Sequence, residues 1–252
     1  MSVYARYQHG NSRHYGLVND GIITELSGGL FDPPVPTGRQ FAIGDVKLLA
    51  PCEPPKILAV GLNYRSHLGP RPAPQSPGIF YKPISSIQNP GDPIVIPADA
   101  IDVHYEGELV VVIGAKVSRA SREQAEAAIF GVTCGNDVSD RNWQRGEGKD
   151  LQWWRAKGSD TFSPFGPWIV TGINYGDLGL ETRLNSEVVQ SQRTSDLIFD
   201  IPEVVRFISQ WVTLIPGDLI YSGTPGETRH MKQGDIVEVA IESIGILRNP
   251  VA

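Results

Sequence analysis

The chain has 252 residues, 40% hydrophobic and 20% charged, a balance that fits a soluble globular protein built as one large domain or as one domain with a small appendage. A net charge of −6 with no long basic run argues against nucleic acid or an anionic membrane as partner, and no apolar run approaches the ~20 residues that span a bilayer. The two cysteines, Cys52 and Cys134, stand far apart and outside any CxxC pair, which excludes a disulfide framework and disfavours zinc.

The opening stretch, MSVYARYQHGNSRH, has no apolar core of the signal-peptide type, so a cytoplasmic enzyme or binding protein is the expectation. With 27 Gly and 20 Pro the chain is rich in turns, which points to a mixed α+β fold that is predominantly β. Residues 1–54 read as a small N-terminal β domain. Val3–Tyr7 alternates, and Tyr15–Val18 and Ile22–Leu26 flank the hairpin signal Asp20-Gly21. The Pro-rich break Pro51–Pro55 sets the boundary with a second domain, residues 55–252.

Lys56–Val60 predicts a core strand that runs into GLNYRSH (61–67) and then a Gly- and Pro-rich loop (69–78), with His67 at its start. Ile79–Tyr81 and Pro93–Ile96 predict two further strands. In HYEGELVVVIGAK (104–116), His104, Glu106 and Glu108 alternate onto one face of a strand, and Leu109–Ile113 is apolar on both faces, as in a buried strand. Ser121–Phe130 predicts a helix opened by a Ser121/Gln124 capping box and stopped by Gly131. Ile129–Cys134 leads into CGNDVSDRNWQ (134–144), which crowds Asp137, Arg141 and Gln144 behind a short apolar run. Glu181–Val189 predicts a hairpin turning at Asn185-Ser186. Asp200–Val212 predicts a second helix with a buried stripe of Val204, Val205, Ile208, Trp211 and Val212. Leu219–Ser222 and Ile236–Leu247 close the chain as strands.

Paired acids on a strand are most often a solvated face. Here they sit at the mouth of a buried strand, where two like charges lose water and need a cation to offset them. Oxygen-only donors of this kind suit a hard ion such as Mg²⁺, and Asp137 supplies a third carboxylate. Lys157, beside Trp153 and Trp154, would bind an anion or share the acids' charge. No GxGxxG, P-loop or GxSxG is present, which removes the common dinucleotide, NTP and serine-hydrolase readings.

Over residues 55–252 the chain resembles the fumarylacetoacetate hydrolase superfamily, in particular its acylpyruvase and 2-hydroxyhepta-2,4-diene-1,7-dioate isomerase-like branch. The resemblance is carried by GLNYRSH, FYKP (80–83), YEGELVVVIG (105–114), NDVSDRNWQ (136–144), AKGSDTFSPFGPW (156–168), TSDLIF (194–199), IPGDLIYSGTP (215–225) and GDIVEVAIESIGIL (234–247), in the family's order. It implies a β-roll catalytic domain, usually a homodimer, with Mg²⁺ or Mn²⁺ held by Glu106, Glu108 and Asp137. It further implies that a small 2-oxo acid is the substrate, that Lys157 and His67 are catalytic, and that Arg141, Gln144 and Thr224 contact substrate.

One departure bears on the chemistry. Many hydrolytic members carry a glutamate three residues after the histidine, and Pro70 stands there. Glu238 is the expected substitute acid, with Glu227 a less favoured candidate. The first expectation is therefore hydrolytic C–C cleavage of a 2,4-dioxo acid such as an acylpyruvate or fumarylpyruvate. Close behind it stand oxaloacetate-type decarboxylation and dienedioate isomerisation, which need no activated water, and more remotely a non-catalytic Ca²⁺-binding β domain.

Overall fold

The structure, a computed structural model, describes residues 1–252. Its centre is the Gly107–Ile113 strand, buried at every position. Alternation along this strand divides the interior in two. Leu109, Val111 and Ile113 join one apolar cluster, and Val110 and Val112 join another on the opposite face. A run that is apolar on both faces is thus a strand covered on both sides.

The strand pairs antiparallel with Ile129–Asn136 on one side and Leu219–Tyr221 on the other. Beyond Ile129–Asn136 the sheet continues through Ser163–Thr171 to Ser2–His9, so the N-terminal strands extend the same large sheet. Beyond Leu219–Tyr221 it passes through the parallel neighbour Ile57–Gly61 to the edge strand Gly78–Lys82. A smaller four-stranded sheet is built from Glu187–Arg193, Gly179–Leu184, Ile236–Ile241 and Gly245–Pro250. No helix is long and apolar enough to cross a membrane.

Local sequence accounts for most of these elements. Asp20 and Gly21 both take positive φ (47° and 78°), the backbone that a two-residue hairpin between Ser12–Asn19 and Ile22–Leu26 requires. Asn185 and Ser186 turn the later hairpin in the same way. The helix Ile201–Ser209 starts at Asp200, whose carboxylate accepts from the Glu203 amide. It buries Val204, Val205 and Ile208 in the first cluster, worth roughly 1.5–3 kcal/mol for each side chain.

Four expectations are corrected. The first helix is Arg122–Ala127; its Ser121/Gln124 capping box is present, but Ile129 and Phe130 already belong to the next strand. Gly131 lies inside that strand rather than stopping the helix, because a Cβ there would stand 2.5 Å from the Val170 carbonyl oxygen of the neighbouring strand. Trp211 falls beyond the second helix, which ends at Ser209, and is 73% exposed. Pro93–Ile96 makes only an isolated parallel bridge at Ile94, since each proline removes a ladder donor. The closing stretch is two strands joined by a turn, Gly245 opening the second at φ 139°.

Replacing Gly131 by Ala tests the close strand approach. The variant should lose about 1–3 kcal/mol of stability in denaturant unfolding, and an unchanged midpoint would show that the sheet can open there at no cost.

Candidate active site

Topology gathers the site at one edge of the sheet. Ile57–Gly61 and Leu219–Tyr221 run parallel, so the loops that follow them emerge side by side. The central strand runs the other way, which brings its start, with Glu106 and Glu108, to that same edge. In its pairing with Ile129–Asn136, Gly107 faces Asn136, and the Asp137 amide donates to the Glu106 carbonyl at 2.9 Å. Opposed residues of an antiparallel pair share a face, so Asp137 joins Glu106, with Glu108 two residues along. The three carboxylates are buried, and their donor oxygens lie within 4.8 Å of one another.

Three buried cations surround this cluster. The Lys157 ammonium donates to Glu106 Oε2 and Asp137 Oδ2, each at 2.6 Å. Arg141 meets Glu106 Oε1 at 2.6 Å. Lys82, from the edge strand, donates to Asp137 Oδ1 at 2.5 Å and to the Lys157 carbonyl. Glu108 has no cationic partner; it accepts only from the Gly223 amide, at 2.7 Å. Gly223 reaches it with φ 106°, and a Cβ there would come within 2.7 Å of Asn63.

The ionisation states follow from these contacts. Burial opposes the charged form of Glu106, but the Lys157 and Arg141 charges outweigh it and hold this carboxyl well below its usual range. Burial raises Glu108 far above the usual range, and the Asp137 and Glu106 charges add to the shift. Lys157 is raised because attraction to Asp137 and Glu106 overcomes its desolvation, whereas burial and the neighbouring Lys157 lower Lys82. A buried carboxylate repelled by two others and served by one amide fits a site that takes a hard divalent cation. Glu106, Glu108 and Asp137 would hold Mg²⁺ or Mn²⁺ there, in competition with Lys157 for the same oxygens.

The cluster lies in a cavity of about 690 Å³ that is also lined by His67, Arg141, Gln144, Lys157 and Thr224. All eight residues expected from the sequence are therefore brought together. Asp140 caps the helix Arg141–Arg145 through the Trp143 amide at 2.8 Å. One helical turn then sets Gln144 Oε1 against Arg141 Nη1 at 2.7 Å. The Thr224 hydroxyl donates to the Gly107 carbonyl and accepts from Gln190 Nε2, both at 2.9 Å, so it meets a ligand as an acceptor only.

His67 follows a short 3₁₀ turn, Arg65–His67, and its Nδ1 lies 2.5 Å from the Gly226 carbonyl. A carbonyl only accepts, so Nδ1 is the donor in this bond and Nε2 is the nitrogen left without a partner. Ser66 Oγ accepts from the Gly226 amide at 3.0 Å, clipping the two loops together.

The acids expected near His67 exchange rank. Glu238 lies on the four-stranded sheet, 3.3 Å from Arg248, and does not line the cavity, because its face of the strand is turned to Arg248. Glu227 does line it. His104, although placed on the Glu106 face by alternation, turns instead to Asp102 (2.8 Å) and Thr228 (2.9 Å). The strand breaks after His104, between Val103–His104 and Gly107–Ile113.

Sequence reasoning passed over Lys82 and Thr228. Lys82 had a signal, a lysine closing an apolar strand before a proline, since buried lysines are rare unless paired. Thr228 steadies Arg141 Nη2 at 2.7 Å from 87 residues away, and nothing local marks it.

A predominantly β chain that buries three carboxylates among lysines and an arginine, in the lining of a cavity, presents a site able to hold a divalent cation. The model of the fumarylacetoacetate (FAA) hydrolase C-terminal family matches residues 56–252, and the Rv2993c-like, N-terminal family matches residues 4–51. Protein Rv2993c of Mycobacterium tuberculosis is 48% identical over 227 residues, 88% of this chain and 84% of that protein. The bovine mitochondrial oxaloacetate tautomerase FAHD2A is 40% identical over 220 residues, covering 82% and 70% of the two chains. The crystal structure of 2-hydroxyhepta-2,4-diene-1,7-dioate isomerase from Mycobacterium marinum superposes with a TM-score of 0.92 at 41% identity, covering 100% of this chain and 98% of that one. The chain belongs to the fumarylacetoacetate hydrolase superfamily and has its fold.

Glu108→Gln separates the two roles of the acidic cluster. Without metal, burial and the neighbouring acids already drive the Glu108 carboxyl toward its neutral form, which a neutral amide mimics, so the melting temperature in chelator should hold. Mg²⁺ affinity by calorimetry should fall at least about tenfold. A lower melting temperature in chelator with unchanged Mg²⁺ binding would show that Glu108 is structural and no ligand.

Proposed function

We propose that the protein is a divalent-metal-dependent enzyme that moves a proton at the carbon next to the keto group of a small 2-oxo acid, as a keto–enol tautomerase or double-bond isomerase. One observation carries this reading: His67 is fixed by a backbone carbonyl, which leaves Nε2 as a neutral base in the acid-lined cavity. Neutral imidazole suits abstraction of a proton from carbon, and no carboxylate pairs with it to stabilise the charged form that water activation calls on. The bound cation would supply electrophilic stabilisation of the developing enolate oxygen.

The chain's own residues do the rest. Arg141, held by Gln144 and Thr228, presents a fixed guanidinium to the substrate carboxylate. Lys157 sits between Glu106 and Asp137 and offers a positive charge where negative charge develops. The tautomerase and isomerase names of the relatives agree with this reading.

Hydrolytic cleavage of a 2,4-dioxo acid is the second reading. It is favoured by Glu227, an acid on the cavity wall next to the residue that anchors His67. Either reaction would run in a homodimer. Exposed apolar side chains support self-association: Leu151 is 84% and Trp154 66% exposed on neighbouring turns.

In D₂O with Mg²⁺, the wild-type enzyme should exchange the C3 protons of oxaloacetate and speed its enol–keto conversion. His67→Ala should slow both by about 10²–10⁴-fold while leaving Mg²⁺ binding intact. Rapid acetate release from acetylpyruvate without exchange on oxaloacetate would put hydrolysis first. Failure with both substrates would remove His67 from the chemistry.

A further inference from the structure

His104 turns away from the acids into a row of polar side chains. Its Nε2 lies 2.8 Å from Asp102 Oδ1 and its Nδ1 lies 2.9 Å from Thr228 Oγ1. Thr228 Oγ1 in turn accepts from Arg141 Nη2 at 2.7 Å. Four side chains from three segments thus form one unbroken row. Arg141 and Thr228 line the cavity, while His104 and Asp102 stand behind them and outside it.

The backbone holds this row in register. Val103–His104 pairs with Ser139–Asp140, and His104 also bridges His230. The Arg141 amide donates to the Asp102 carbonyl at 2.8 Å. The start of the helix Arg141–Arg145, the short strand with His104 and the loop with Thr228 are therefore fixed to one another by main-chain bonds. Counting protons then defines each contact. A carboxylate only accepts, so His104 Nε2 is the donor to Asp102. The Thr228 hydroxyl has one proton and two lone pairs. One lone pair faces Arg141, and either the proton or the second lone pair faces Nδ1. In both cases the Thr228 oxygen is pinned between imidazole and guanidinium and meets Arg141 as an acceptor.

Arg141 has two kinds of partner. Its Nη1 lies 2.6 Å from Glu106 Oε1, an oxygen of the set that would hold a divalent cation. Gln144 Oε1 accepts from the same nitrogen and comes from the same helix. Thr228 is the hydrogen-bond partner of Nη2, comes from outside that helix, and belongs to no acid that a cation would occupy. Held at Nη1 alone, a planar guanidinium can still turn about that point. A second fixed point on Nη2 sets its plane, and the plane decides how its N–H fork meets a carboxylate.

We propose that Thr228, itself held by His104 and Asp102, is a positioning residue that sets the plane of the Arg141 guanidinium toward the substrate carboxylate, independently of Glu106. The proposal rests on the functional reading given above, in which Arg141 meets that carboxylate. His104 acts through Thr228 and touches neither substrate nor cation.

Calorimetry on the Mg²⁺-loaded protein, with oxalate as the probe, tests this role. Thr228→Val removes the hydroxyl at nearly constant size and should weaken oxalate binding about tenfold or more, with Mg²⁺ affinity and melting temperature unchanged. Thr228→Ser returns the hydroxyl and should restore affinity to within about twofold of the wild type. In Arg141→Gln, with no guanidinium to hold, adding Thr228→Val should change oxalate affinity by less than about twofold. His104→Ala leaves the Arg141 contact untouched and removes the support behind it. That variant should cost about threefold or more, and H104A/T228V should bind oxalate as Thr228→Val does.

Equal oxalate affinity in Thr228→Val and the wild type overturns the positioning role and leaves the functional reading standing. So does a loss that Thr228→Ser does not restore, or a further loss in R141Q/T228V. Additive losses in H104A/T228V remove His104 and Asp102 from the row. If the wild type binds no oxalate in the presence of Mg²⁺, the functional reading falls and the positioning role falls with it.

Discussion

Three carboxylates buried within one small volume are the constraint to which the rest of the molecule answers. Each would cost several kcal/mol to desolvate alone, and their mutual repulsion adds to that cost. The fold offsets it with Lys82, Lys157 and Arg141, drawn from three separate segments and all buried. The compensation is uneven. Glu106 is paired twice and Asp137 twice, while Glu108 has one amide. That asymmetry leaves one acid short of a positive charge in a site otherwise dense with them, which is the electrostatic form of an incomplete cation site.

The same constraint explains why the scaffold is a sheet. Strands place opposed residues on one face at fixed spacing, and the Glu106–Asp137 pairing uses this directly. The central strand is sealed by apolar layers on both faces, so its polar end cannot shift without dragging two cores with it. The acids are thereby set on rigid backbone, while His67, Thr224 and the helix Arg141–Arg145, which line the cavity with them, come from loops and short turns at the edge.

How much of this was legible in the sequence depends on how local the cause was. Alternation placed Glu106 beside Glu108, and the double-sided apolar run marked the central strand. Caps fixed the helix starts at Ser121 and Asp200 within a residue. Endings were harder, because Gly131 acts through a close contact with Val170 that no local pattern carries. Trp211 fitted a helical stripe by spacing alone, but the helix ends before it. His104 shared the acids' strand parity and still turned away to Asp102 and Thr228, since the strand breaks between them. Of the two acids expected near His67, the less favoured Glu227 lines the cavity and Glu238 does not, for a similar reason. Glu238 and Glu227 differ in which sheet and which face they occupy, a matter of tertiary placement.

The clip between the two edge loops links these observations to catalysis. Ser66 and His67 both bond Gly226, one accepting from its amide and the other donating to its carbonyl. Gly226 lies two residues past Thr224, whose hydroxyl is tied to the central strand at Gly107. His67, Thr224 and the strand that carries the acids are thus tied together by hydrogen bonds at Gly226 and Gly107 and by the short segment Thr224–Gly226 between them. A backbone carbonyl as the partner of His67 has a specific consequence: it orients the ring without adding a negative charge to a cavity that already gathers three acids. An acid in that position would strengthen the base but would also raise the cost of ionising the floor, since like charges in a low-dielectric cavity act over many ångströms. A neutral anchor is the arrangement that holds the imidazole in place while adding no further charge beside the acidic floor.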